Sequence, residues 1–130
     1  MRRLALLAGC LPLLAHADCP PAAADGRLLR QGPVQLAWRA QRDAAPAIVV
    51  GEHFALEIQA CPVTARLVRV DATMPEHRHG MNYRPELLAL GGGRWGVEGL
   101  MFHMAGRWEL VFDLATGAGI TRLADDVMLR

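Results

Sequence analysis

The chain contains no lysine: all 14 of its basic residues are arginines, against 13 acidic residues and a net charge of +1. We read that usage as base composition of the gene. With no basic patch and no acidic tail, the electrostatic footprint of a nucleic-acid-binding protein is missing. Also missing is an apolar run of about 20 residues, the length a transmembrane helix needs, so no anchor is expected. There is no Cys-x-x-Cys spacing of the kind structural zinc sites use. No Ser-x-Gly elbow, cysteine nucleophile or obvious carboxylate pair appears, and Glu76 beside His77 is too generic to assign as a base, so the chain does not read as an enzyme. Nor is there an 11-residue helical stripe with caps, or any internal repeat.

What is present begins with an address. Residues 1–17, MRRLALLAGCLPLLAHA, run from two arginines through an apolar stretch to Ala15-His16-Ala17, the order of a cleavable secretory signal. Pro12 argues against a buried first helix. Leu7-Ala8-Gly9-Cys10 also matches a lipoprotein box, although the apolar stretch before Cys10 is then shorter than such signals need. Removing 17 of the 130 residues leaves 113, enough for one domain with one core. Loss of Arg2 and Arg3 leaves 12 arginines against 13 acidic residues, a net charge of −1. Cys10 leaves as well, and Cys19 and Cys61 remain as an even pair. In an exported domain, here expected in the periplasm, the default for such a pair is a disulfide, with metal thiolates as the alternative.

Residues 18–33 are rich in proline, alanine and glycine and read as an N-terminal arm tied down by Cys19. The domain proper is expected over 34–130. Val34–Trp38 and Phe54–Ala60 alternate cleanly. Leu67–Ala72, Glu86–Leu90, Trp95–Leu100, Trp108–Leu114 and Ile120–Leu129 fit the same template. Gly91-Gly92-Gly93 and Ala105-Gly106 supply turns. The expectation is an all-β, immunoglobulin-like antiparallel β-sandwich of about seven strands.

The densest chemistry is Met74-Pro-Glu-His77-Arg-His79-Gly-Met81. If that stretch is extended, His77, His79 and Met81 project from one face. Imidazole with thioether suits copper: histidine serves both oxidation states and methionine favours Cu(I). Met101-Phe102-His103-Met104 forms a second cluster. With Met1 and His16 gone, five methionines and four histidines remain, and four and three of these fall between positions 74 and 104. Only His53 and Met128 lie outside. Met101 and Met104 also read as core fillers, and the His77/His79 loop also reads as a solvated or partner-contacting segment. The three tryptophans are most simply core, while Tyr83 and Arg84 stand ready to line the mouth of a site.

MPEHRHGMNYRP followed by GLMFHMAGRWELVFDL resembles the periplasmic YtkA-like and FixH-like domains. Their hallmarks are a Met-Pro-x-(Met or His)-x-His-x-Met loop and a later Phe-x-Met-x-Gly-x-Trp strand entry. The resemblance covers Val34 to Leu114. It implies an immunoglobulin-like sandwich and a link to copper handling or to respiratory oxidase maturation. His79 and Met81 match the His-x-Met ligands, His77 stands where Met or His is usual, and Met74 opens the loop. Met104, Gly106 and Trp108 match the second element, Trp108 as a packing residue. Arg78 departs from the small residue, often glycine, at that place. The expected function is a periplasmic copper carrier or chaperone with a labile site drawn from Met74, His77, His79, Met81, His103 and Met104. It would hand copper to an envelope protein or an oxidase assembly factor. The alternative is a non-enzymatic interaction module without metal. A third reading, a copper enzyme with an N-terminal histidine chelate, requires cleavage after Ala15 to expose His16.

Overall fold

The computed structural model describes residues 19, 26–42 and 45–130. The signal segment expected over 1–17, and with it Cys10 and His16, lies outside the described residues. Nine strands form among the described residues: β1 Arg27–Gln31, β2 Val34–Ala40, β3 His53–Cys61, β4 Arg66–Met74, β5 His79–Gly80, β6 Glu86–Gly91, β7 Arg94–Met101, β8 Gly106–Thr116 and β9 Gly119–Leu129. They build two antiparallel sheets, ordered β1-β2-β3-β7-β6 and β5-β4-β8-β9. No helix among the described residues is long and apolar enough to cross a membrane.

Seven of these strands are the seven read from the alternation, and the two additions sit at sheet edges. With β1 and β5 set aside, the orders β2-β3-β7-β6 and β4-β8-β9 reproduce the ABED and CFG sheets of a constant-type immunoglobulin domain. The count of about seven is therefore corrected to nine, while the architecture stands. β1 falls within the stretch expected as the N-terminal arm, residues 18–33. Arg27–Gln31 pairs along its whole length with β2, from Arg27 opposite Trp38 to Gln31 opposite Val34. Its burial alternates hardly at all, since only Leu29 packs against the core and even that side chain is half-buried, so a periodicity test has little to detect.

The inward face of each inner strand supplies the core. Leu36, Leu56, Ala60, Ala72, Met74, Val97, Leu100, Phe102, Trp108, Leu110, Phe112 and Leu114 are buried completely. Period-two alternation produces this directly, since every second side chain of β3 (Phe54, Leu56, Ile58, Ala60) faces the opposing sheet. At one end of the sandwich, Cys61 closes β3 and is bonded to Cys19, with the two Cα atoms 5.8 Å apart. The glycine turn joins β6 to β7 at the same end. Gly93 has φ +78°, and a Cβ there would lie 2.7 Å from the Ala60 carbonyl oxygen, so no other residue fits.

Outside the second sheet, Asp113 is buried beneath arginines. Arg122 donates to it through Nε at 2.7 Å and Nη2 at 2.8 Å, and Arg69 approaches to 3.6 Å. The hydrogen bonds from Arg122 hold the Asp113 carboxyl below its ordinary range, with the charges of Arg122 and Arg69 adding to the effect. A depressed folded value means stability that is fully present above about pH 4 and lost as pH falls through the lowered value. Asp113→Asn is expected to cost about 1–2 kcal/mol at neutral pH, moderated because Arg122 is largely exposed. Urea unfolding of both proteins from pH 7 to pH 2 checks this: the gap must close on the acid side.

Candidate metal centre

At the end of the sandwich opposite the disulfide, β4 finishes at Met74 and the chain turns back through residues 75–78 into β5. The turn is set by a hydrogen bond from His77 N to Met74 O at 3.1 Å. Arg78 stands at φ 53°, in the left-handed region that favours glycine. This is the position where the small residue of the resembled motif would fall. Met74 and His79 face each other in register, which places the His79 side chain on the inward face with Met74. Glu76 accepts from Arg107 Nε at 3.0 Å, and Arg107 also donates to Asp126 at 3.0 Å. Two strands of the second sheet thus tie down the histidine turn. Those carboxylates, Glu76 foremost, push the Arg107 pKa further up.

The connection from β7 to β8 crosses between the sheets at this end and carries Phe102, His103 and Met104. Phe102 stacks on the Trp108 ring at 4.7 Å with 7° between the planes, and Phe54 meets Phe102 edge-on at 4.9 Å. Trp108 Nε1 donates to the Met104 carbonyl oxygen at 3.0 Å, and Gly51 N donates to the Phe102 carbonyl at 2.8 Å. The loop is therefore anchored to an aromatic platform. Gly106, where β8 begins, has φ +121°, and a Cβ there would lie 2.9 Å from the Met74 methyl.

The two connections bring three imidazoles together. The His79 ring lies 5.8 Å from His77 and 5.2 Å from His103, centroid to centroid, and 6.3 Å from Trp108. His103 in turn meets Trp108 edge-on at 5.3 Å. His103 Nδ1 is buried and has no hydrogen-bond partner. A buried polar nitrogen left unpaired costs about 1–3 kcal/mol, so this atom is poised to gain from a ligand. A metal 2.0–2.1 Å from each imidazole nitrogen would hold two ring centroids about 5–6 Å apart, close to the separations found here. Among the described residues, no three His, Cys, Asp or Glu side chains are placed so as to hold a metal ion by themselves.

The expected site residues divide. His77, exposed on the turn, half-buried His79 and half-buried His103 are brought together, and Met104 is exposed beside His103 on the anchored loop. Met74 is fully buried and belongs to the hydrophobic core cluster. Met81 is half-buried against the core and borders a cavity with Val70, Asp71, Tyr83 and Leu87. The expected common face for residues 77, 79 and 81 is interrupted, since 75–78 form a turn and only His79 and Gly80 are strand.

Phe102 as the stacking platform and the Arg107–Glu76 tie were not legible in the sequence, where no spacing links them. His53, set apart by sequence, opens β3 opposite Met101, and its ring meets Tyr83 edge-on at 5.4 Å. Met128, near the end of β9, stands opposite Arg107. The histidines and methionines of the described residues all gather at this one end.

Compared with models of known protein families, with characterised proteins and with solved structures, the chain finds no match.

Proposed function

We propose that the protein is a periplasmic copper carrier that holds one ion at this end of the sandwich and releases it to an envelope partner. The observation that carries the reading is His103 Nδ1, buried without a partner in a loop whose ring sits 5.2 Å from His79. His79 and His103 are the central ligands, His77 is the third imidazole, and Met104 offers a thioether, with Met81 in reserve. Histidine and methionine together accommodate Cu(I), and imidazole alone also serves Cu(II). The bound ion supplies cargo chemistry, and the proposed role involves no catalysis.

The chain's own residues account for the lability. His77 and Met104 are exposed and are the ligands a partner reaches first, while His79 and His103 stay held against the Trp108 platform. Export fits the site, because thiols are typically oxidised in that compartment and imidazole and thioether remain as natural copper ligands. The resemblance to YtkA-like and FixH-like domains points the same way and suggests an oxidase assembly factor as recipient.

After loading with Cu(I) and gel filtration, the purified protein is expected to retain about one copper per chain, and His77→Ala with His79→Ala is expected to abolish retention. No copper retained by the wild type overturns the reading. A second reading, an interaction module, is favoured by the exposure of Arg78 and Tyr83. It requires that copper change nothing while alanines at His77, Arg78 and Tyr83 disrupt a pull-down.

A further inference from the structure

We infer that the outer edge of β9, which pairs with no strand among the described residues, is the seam of a homodimer, in which two copies pair antiparallel about a two-fold axis at Ala124. Among the described residues β9 is the last strand of its sheet, and its ladder with β8 runs uninterrupted from Gly106–Leu129 to Thr116–Gly119. A long, unbroken edge without proline, lysine or a bulge is a template for another strand, and natural proteins usually blunt such edges. Among the described residues its neighbour on that side is β1 of the other sheet, tied to it through Arg27 and Asp125, and β1 forms no ladder with β9.

Its outward side chains, Ile120, Arg122, Ala124, Asp126 and Met128, read apolar, positive, small, negative, apolar. That order is self-complementary on reversal. Pairing about Ala124 sets Arg122 opposite Asp126 of the partner subunit and Ile120 opposite the partner's Met128, each twice, as an isologous interface requires. Cross-strand pairs of these kinds each contribute about 0.2–1 kcal/mol. A shift of register destroys both matches together.

The side chains have capacity to spare. Arg122 donates to Asp113 through Nε and Nη2, which leaves Nη1. Asp126 accepts from Arg107 at Oδ1, which leaves Oδ2. Ile120 and Met128, each 62% exposed, are the most exposed large apolar side chains among the described residues, and pairing would cover both. Asp125, on the inward side, would repel an approaching strand if it were free, but it is bound by Arg27 at 2.5 Å and by Trp38 Nε1 at 3.0 Å. The occupant that fits this edge is a second copy of the chain.

The test is mass by light scattering and sedimentation in EDTA over about 1–200 µM, with cross-linking by a short bis-maleimide. The wild type is expected to approach twice the chain mass, and Asp126→Arg, which faces Arg122 with like charge, to remain monomeric with an unchanged far-ultraviolet spectrum. Ala124→Cys is expected to cross-link to itself. Ile120→Cys alone is not, because its two copies lie eight residues of strand apart, about 27 Å, but mixed with Met128→Cys it is. A wild type monomeric throughout, or Ile120→Cys cross-linking as well as Ala124→Cys, overturns the proposal.

Discussion

Trp108→Ala is expected to lower stability by about 3–5 kcal/mol, the range for removing a fully buried aromatic, and to abolish copper retention with it. The indole is completely buried, stacks with Phe102 and borders both His79 and His103. Its Nε1 holds the Met104 carbonyl. Trp108→Phe separates the two roles. It keeps most of the packing and deletes the hydrogen bond, so stability is expected to fall by only about 1 kcal/mol while copper binding weakens. Chemical unfolding beside copper titration checks both. A Trp108→Phe protein that binds copper as the wild type does would show that the platform positions nothing.

The second large effect lies at the other end. Cys19–Cys61 closes a loop with a sequence separation of 42, which in the chain-entropy model is worth about 4 kcal/mol. In a domain of this size the double variant Cys19→Ala, Cys61→Ala is expected to lose on the order of 15 °C in Tm, as is the reduced wild type. Copper retention at low temperature is expected to survive. His53 and Cys61 bound the same strand, which sets the disulfide about 26 Å from the histidine end. A Tm shift of only a degree or two would mean that the bond constrains a denatured chain that is already compact.

The fold was largely legible because burial on one face imposes period-two alternation, and the seven strands with such a face were found. β1 and β5 escaped for physical reasons. β1 sets only the half-buried Leu29 against the core, and β5 is two residues long, too short for any period. The site was legible in composition and less so in membership. His77, His79 and His103 come together because one hairpin and one crossover meet at the same end. Met74 alternates with Ala72 along β4 and sits in the core, a placement the motif alone does not give. His53 and Met128 reach the same end through register alone, which no local spacing reveals.

The central claim is that imidazole and thioether at this end hold copper. X-ray absorption on the Cu(I)-loaded protein tests it most directly, through the backscattering of imidazole rings and of sulfur. The account predicts imidazole multiple scattering together with a sulfur shell, the sulfur shell diminished by Met104→Leu and the imidazole signal by His103→Ala. A copper environment with neither imidazole nor sulfur, or one unchanged by both substitutions, would contradict it.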